Sequence, residues 1–111
     1  MRMNVYSFFD TATGAYMRPF FAQADAQAVR EFSNLVMDAD HPFSMHPKDY
    51  SICRIGVFDD QSGELVPEPV QYLATGLEMV AAARKVDREQ LQLFEKKVNG
   101  GNKDAPIDNG A

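Results

Sequence analysis

The chain carries the same short turn pattern twice, and this repeat constrains the fold more than any other feature. Residues 9–14 (FDTATG) and 58–63 (FDDQSG) both follow F-D-x-x-[ST]-G, 49 residues apart. An aspartate early in such a turn accepts backbone N–H bonds, and the closing glycine adopts a positive φ without strain. Apolar or aromatic runs flank both copies, so the repeat predicts two β-hairpins with similar turns.

The first hairpin is predicted from residues 3–21. Residues 3–9 (MNVYSFF) are rich in β-branched and aromatic side chains, which is typical of a strand, and both of its faces are partly apolar. Residues 15–21 form the predicted return strand, in which Pro19 favours an edge position because proline donates no ladder hydrogen bond.

The second hairpin is predicted from residues 50–66. Residues 50–58 (YSICRIGVF) form a strand in which strict alternation places Ile52, Arg54, Gly56 and Phe58 on one face. Gly56 indicates a bulge or a close backbone approach. Residues 64–66 form a short fourth strand, which we expect the segment Pro67-Glu68-Pro69 to end or redirect.

Helical spacing occurs in three stretches. In residues 25–37, Val29, Phe32, Leu35 and Val36 fall on one stripe, which predicts a helix. Residues 70–85 also fit a helix, with a strand at residues 70–73 as the open alternative. In residues 87–98, Leu91, Phe94 and Val98 form an apolar stripe, and Asp87 with Gln90 is typical of an N-terminal capping box.

The segment 38–49 is predicted to be a long loop, and long loops are often functional. It contains both histidines, His41 and His46. They lack the helical spacing or the thiolate partners of a metal site, so we interpret them as structural turn residues.

Together these patterns predict an α+β fold: two hairpins in one antiparallel sheet, a helix between them packed on one face, and one or two C-terminal helices. The predicted organisation is an α+β domain over residues 1–85, an amphipathic helix over 86–99 and a disordered tail over 100–111.

Several classes of function find no support in the composition. No apolar stretch approaches the ~20 residues that span a bilayer, and the N-terminus lacks an apolar signal segment, so we expect a cytoplasmic protein without a membrane partner. The single cysteine, Cys53, is expected to pack as a small hydrophobe. Asp10, Asp59 and Asp60 are carboxylates at the predicted turns, and turn chemistry explains two of them, so we do not interpret them as a catalytic pair. No motif predicts catalysis, a metal or a cofactor, so we do not expect an enzyme.

Aromatic residues with basic neighbours are the strongest binding signal. Bases stacked on aromatic side chains beside Arg and Lys are a common way to hold single-stranded nucleic acid. The candidates for such a site are Arg2, Tyr6, Tyr16, Arg18, Lys48, Tyr50 and Arg54. The competing interpretation, in which the aromatics form the core and the bases are solvated, is favoured by composition alone, and the net charge of −5 agrees with it.

Three segments resemble the small nonstructural protein of gokushoviruses, which are single-stranded DNA phages of the Microviridae. They are residues 3–10 (MNVYSFFD), 15–21 (AYMRPFF) and 43–65 (FSMHPKDYSICRIGVFDDQSGEL), and the resemblance covers roughly residues 3–70. Its most specific part is H-P-x-D-Y at 46–50 followed by R-I-G-x-F-D at 54–59.

The resemblance implies a DNA-binding protein of the host bacterial cytoplasm with a role in single-stranded DNA synthesis or in the switch from replication to packaging. It implies no catalytic residue. An alternative hypothesis is a homo-oligomeric adaptor that binds a phage replication or capsid protein without contacting DNA. The acidic balance and the helix predicted at 87–98 favour this alternative.

Overall fold

The computed structural model describes residues 1–101, with side chains as far as Val98. Most of the predicted tail, residues 100–111, lies outside this range. The first compact unit spans Met1–Val80, and a second begins at Ala81. Within the described residues, no helix is both long and apolar enough to cross a membrane.

Five antiparallel strands form one sheet, which confirms the predicted α+β class. The strands are β1 (Arg2–Asp10), β2 (Ala15–Tyr16), β3 (Phe20–Ala22), β4 (Tyr50–Asp59) and β5 (Leu65–Thr75). The order across the sheet is β2-β1-β4-β5, with the long strands β1 and β4 at the centre. Strand β3 also pairs with β1, along a different stretch of it from β2.

Both repeated turns have the predicted chemistry. The Asp10 carboxylate accepts a hydrogen bond from the Ala12 N–H at 2.9 Å, and the Asp59 carboxylate accepts one from the Gln61 N–H at 2.9 Å. Gly14 and Gly63 close the turns at φ values of 71° and 75°, which glycine adopts without steric cost. The two aspartates are therefore turn residues.

The helices are α1 (Asp25–Met37), α2 (Pro42–Met45) and α3 (Gly76–Gly101). Helix α1 has the predicted bounds, and it buries Ala28, Phe32 and Val36 against one face of the sheet. Phe32 and Phe43 of α2 meet the sheet residue Phe8 at ring-centroid distances of 5.5 and 5.0 Å. This aromatic cluster holds α1 and α2 on the same face.

The prediction of one continuous return strand over residues 15–21 is wrong. The strand is divided into β2 and β3 by Met17, Arg18 and Pro19, of which Met17 still donates its backbone N–H to the Phe8 carbonyl at 2.8 Å. The carbonyl of Met17 accepts a hydrogen bond from the Ser7 hydroxyl at 2.7 Å. Because this edge pairs with β1 alone, such a break costs few hydrogen bonds.

The predicted early end of the fourth strand is also wrong. Strand β5 continues through Pro67 and Pro69 to Thr75, so residues 70–75 are strand and not helix, as the alternative prediction proposed. Strand β5 lies at the edge of the sheet, where a proline without an N–H is tolerated. Pro67 lies opposite Gly56, whose missing side chain gives room: a Cβ there would lie 2.6 Å from the Val66 carbonyl oxygen.

Helix α3 begins well before the predicted start at Asp87. Its N-terminus is a capping box: the Glu78 N–H donates to the Thr75 hydroxyl at 3.1 Å, and the Thr75 N–H donates to the Glu78 carboxylate at 2.7 Å. This reciprocal pair satisfies two backbone donors at the helix start. Asp87 therefore lies inside a continuous helix.

A bulge in β4 overturns the predicted alternation of that strand. Tyr6 pairs with Arg54 and Val5 pairs with Gly56, so Ile55 has no partner on β1. The extra residue moves Gly56 and Phe58 to the face opposite Arg54. The Phe58 ring accordingly lies 5.3 Å from the ring of Phe21.

The predicted loop 38–49 is largely ordered into α2 and a 3₁₀ turn at Pro47–Asp49. The Nδ1 atom of His41 accepts a hydrogen bond from the Phe43 N–H at 3.2 Å and so caps α2. This agrees with the interpretation of His41 as a structural residue.

Candidate nucleic-acid interface

The sheet has one face covered by helices and one that we call the open face. On β1, Tyr6 and Phe8 point toward α1 and α2, and the alternate residues Val5, Ser7 and Phe9 point to the open face. Exposed side chains that could contact a ligand therefore have to be sought mainly on the open face.

Two tyrosines from opposite edges of the sheet meet above the open face. Tyr16 lies on β2 and Tyr72 on β5, strands about 14 Å apart at the usual strand spacing. Their hydroxyl oxygens are 3.4 Å apart, so both side chains lean inward over the central strands. The Phe9 ring packs beside them, 4.7 Å from Tyr16 and 6.2 Å from Tyr72 between centroids. We call Phe9, Tyr16 and Tyr72 the aromatic patch.

The tyrosines of the aromatic patch are partly exposed and cover small side chains of the central strands. Tyr16 and Tyr72 remain 44% and 57% exposed. Ser7 and Cys53 lie on the same face as the tyrosines and are only 1% and 0% exposed. The inward lean of the tyrosines explains how side chains on a face that no helix of the first unit covers become buried.

The titration of these groups follows from their contacts. The hydrogen bond to Tyr72 raises the pKa of Tyr16 to about 12. Burial raises the pKa of Cys53 to about 11, so its thiol is protonated at neutral pH. These shifts agree with the prediction that Cys53 packs as an apolar residue.

An apolar groove of about 320 Å³ lies along the same sheet, beside the bulge. The segment between β2 and β3 contributes one wall through Pro19, and β5 contributes another through its first residues. The groove is lined by Val5, Pro19, Ile55, Gly56, Leu65, Val66 and Pro67.

The helix-covered face carries a polar network centred on Arg54. Its guanidinium donates to the carboxylate of Asp25 on α1, donates to Gln71 at 2.5 Å and lies 3.6 Å from the Glu68 carboxylate. The Tyr6 hydroxyl donates to the same Asp25 carboxylate at 2.7 Å. This network ties α1 to the sheet.

The network shifts the pKa of each of its main members. Burial raises the pKa of Tyr6 to about 12, and the hydrogen bond to Asp25 adds to this. Burial opposes ionisation of Asp25, but the hydrogen bonds from Arg54 and Tyr6 outweigh it and lower the pKa of Asp25. The hydrogen bond to Asp25 raises the pKa of Arg54. The positive charge of Arg54 is thus matched by carboxylates of the same chain.

The structure separates the predicted site residues into two groups. Tyr6 is completely buried, and Tyr50 is half-buried with its ring 4.3 Å from that of Phe43. The burial of Tyr6 leaves no ring face for a base, so its inclusion in a stacking site was wrong. The role of Tyr50 stays a prediction. Arg54 lies on the face opposite the aromatic patch and has carboxylate partners.

The remaining candidates are exposed. Arg18 lies two residues after Tyr16, and Lys48 lies two residues before Tyr50, the β4 residue that pairs with Asp10. Both therefore lie near the end of the sheet that holds Phe9. Arg2 is seven residues from Phe9 along β1, about 23 Å away at the strand rise, and does not join them.

Sequence reasoning missed Tyr72, which is the more exposed tyrosine of the patch. The signal was obscured because residues 70–85 also fit a helical spacing. The apolar residues Val70 and Tyr72 on either side of the polar Gln71, after a proline pair, are the strand pattern that would have indicated it. A shift of register then places Ala74 on the helix-covered face, opposite Ile52.

No metal site is found in the part of the chain that the structure describes. Within residues 1–101, no group of three or more His, Cys, Asp or Glu side chains is placed to hold an ion.

Comparison with known proteins places the chain among phage proteins. A sequence profile of the Phage ORF5 protein family matches residues 3–79. The chain belongs to the Phage ORF5 protein family. It is also 34% identical over 71 residues to Protein ORF5 of Chlamydia phage 1, a gokushovirus, across 60% of this chain and 74% of that protein. No solved structure matches.

The match to the ORF5 family covers every strand of the sheet and the start of α3. It includes all three residues of the aromatic patch and the Arg54 network. The sequence resemblance to a gokushovirus protein is thereby confirmed at the level of a phage protein of the Microviridae type.

Proposed function

We propose that this ORF5 protein is a non-enzymatic phage protein that binds single-stranded DNA on the open face of its sheet. It would act in the host bacterial cytoplasm, in single-stranded DNA synthesis or in the switch from replication to packaging. The observation that carries the proposal is the aromatic patch, in which Tyr16 and Tyr72 expose ring surface on a face that no helix of the first unit covers.

The geometry of the patch suits unpaired bases. Each base has a π-face, so stacking on tyrosine tolerates any sequence, and a flat sheet face gives successive bases a common platform. Phe9 supports the tyrosine rings from one side, which holds them in place before a ligand binds. Double-stranded DNA offers no exposed base faces and should compete poorly.

The charge distribution limits the strength of this binding. The net charge is −5, and Arg54 already has Asp25 and Glu68 as partners. Phosphate contacts would then come from Arg18 and Lys48 beside the patch. We therefore expect weak binding with a shallow dependence on salt, since the salt slope follows the number of phosphates contacted.

Fluorescence anisotropy with a labelled oligothymidine at low salt tests the proposal. Tyr72→Ser should weaken binding roughly tenfold because a stacked base loses its platform, and Tyr72→Phe should retain most of it. Arg18→Ala should weaken binding and flatten the salt slope, and Arg30→Ala on the exposed side of α1 is the matched control for lost charge. Binding that is absent at low salt, or equal for Tyr72→Ser and wild type, would rule out direct contact at this face.

The adaptor hypothesis is the second candidate, and the apolar groove beside the bulge favours it. A groove lined by proline, valine, leucine and isoleucine has the chemistry of a protein contact and not of a phosphate site. Capture of a phage replication or capsid protein from infected cells by wild type, and loss of that capture by Leu65→Asp, would support it. Capture that is equal for both chains would exclude the groove.

A further inference from the structure

The helix α3 carries a regular seam of side chains along its length. Residues spaced alternately by three and four positions share one stripe of a helix, as the a and d positions of a coiled coil do. On α3 this stripe consists of Leu77, Val80, Arg84, Asp87, Leu91, Phe94 and Val98. It is apolar toward both ends and carries one cation and one anion in the middle.

The seam is open to contact except at Val80, which packs partly buried against the core of the first unit. Leu77, Leu91 and Phe94 are 55%, 56% and 64% exposed. Among the ion pairs of the described residues, none involves Arg84 or Asp87. The charged middle of the seam thus has no ionic partner among the described residues.

The surface of α3 has a recess of the kind that accepts a side chain of a second helix. Arg84, Asp87, Arg88 and Leu91 line a shallow recess of about 560 Å³. These residues stand at positions i, i+3, i+4 and i+7, which is the four-residue hole that accepts one side chain of a facing helix in knobs-into-holes packing.

We propose that α3 pairs with α3 of a second copy of this chain in an antiparallel dimer. A two-fold axis between Lys85 and Val86 sets Arg84 of each copy into the recess of the other, opposite Asp87. The same axis sets Leu77 opposite Phe94, and Leu91 opposite the half-buried Val80. Each central layer of this register sets Arg84 of one copy against Asp87 of the other, with Arg88 as a further cation lining the recess.

Charge complementarity selects the antiparallel orientation. In a parallel dimer without stagger, Arg84 would face Arg84 and Asp87 would face Asp87, so both central layers would hold like charges. In the antiparallel register the two central layers each hold one cation and one anion. The mixed charges therefore specify both the partner, a second copy, and its direction.

Charge exchange with sedimentation equilibrium on the full chain tests the proposal. Arg84→Asp places aspartate opposite Asp87, and Asp87→Arg places arginine opposite Arg84, so each should raise the dimer Kd by roughly tenfold to a hundredfold. The double exchange restores opposite charges in every layer and should return the Kd close to wild type. A parallel dimer would keep like charges in all three variants and show no such rescue.

Matched controls separate the seam from the rest of the helix. Lys96→Asp makes the same change of charge away from the stripe and should leave the Kd unchanged. Leu91→Ser should weaken the dimer, and Leu93→Ser, at a more exposed leucine on the other side of the helix, should not. Circular dichroism verifies that each variant remains helical. A monomeric wild type, or a double exchange that is no better than the single changes, would overturn the proposal.

Discussion

Replacing Gly76 by alanine sets two physical effects against each other. Alanine favours a helix over glycine by up to about 1 kcal/mol, so propensity alone predicts a gain in stability. The position is buried, however, and it begins α3 directly beneath the 3₁₀ turn. A Cβ built there would lie 2.8 Å from the Pro47 carbonyl carbon and 2.9 Å from its Cα, and closer still to the carbonyl oxygen.

The steric cost of the added methyl group should exceed the gain in helix propensity. All three neighbouring atoms belong to backbone, so no side chain can rotate to give room. Relief requires the start of α3 and the Pro47 segment to move apart, which disturbs the adjacent capping box. Overpacking of this kind costs about 3 kcal/mol, against a gain of at most about 1. The net loss is about 2 kcal/mol of the free energy of unfolding, or roughly 6–12 °C in Tm.

Urea unfolding followed by far-ultraviolet circular dichroism measures this loss. Gly14→Ala is the comparison, because no atom lies within 4 Å of the Cβ it would gain, and its positive φ alone should cost about 1 kcal/mol. A Gly76→Ala chain as stable as wild type would show that the contact with Pro47 does not constrain the packing of these elements.

Three further predictions concern the cap, the network and the cysteine. Thr75→Ala removes one bond of the capping box and should cost about 1 kcal/mol by urea unfolding, whereas Thr13→Ala in the exposed first turn should cost less. Because the folded pKa of Asp25 is lowered, its stabilisation is complete above the ordinary carboxyl pKa of about 4 and is lost as pH falls through the folded value. Asp25→Asn should therefore lose less stability than wild type between pH 5 and pH 3, and an equal loss would contradict the assignment. Cys53 should react slowly with a thiol reagent at pH 8 and rapidly in urea, since burial raises its pKa to about 11; fast reaction of the native chain would refute its burial.

The parts of the fold that sequence predicted are those decided by local chemistry. Asp and Gly at fixed spacing specify both turns, and the stripe of Val29, Phe32 and Val36 specifies α1. These signals need no knowledge of a distant neighbour. The composition of β1 and β4 also predicted these strands locally. Strand β1 extends one residue beyond its predicted bounds at each end, and β4 extends one residue at its C-terminal end.

The errors occurred where a distant contact decides the conformation. Proline at 67 and 69 would end a central strand, but β5 lies at the edge, and only the strand order reveals this. The bulge at Ile55 changes the face of Phe58, and one sequence without its partner register cannot locate it. The capping box at Thr75 and Glu78 was visible as T-x-x-E, yet a helical spacing that began at Val70 concealed it.

The aromatic patch could be predicted only in part for the same reason. Tyr16 was identified from its composition and neighbours, whereas Tyr72 depended on placing β5. Tyr6 and Tyr50 resembled Tyr16 in sequence, but their burial follows from where α1 and α2 pack. Composition therefore indicated an aromatic surface, and topology decided which rings form it.

The two repeated turns cannot contribute to one site, and this limits where the proposed single-stranded DNA ligand could bind. Strands β1 and β4 run antiparallel with Asp10 opposite Tyr50 and Arg2 opposite Asp59, so the turns lie at opposite ends of the sheet. Eight residues of strand separate those ends by about 27 Å. The aromatic patch, Arg18 and Lys48 lie toward the first-turn end, whereas Arg2 lies at the other. A ligand held by stacking should therefore depend on Arg18 and be indifferent to Arg2. Equal effects of Arg2→Ala and Arg18→Ala would instead indicate attraction by charge spread over the whole sheet.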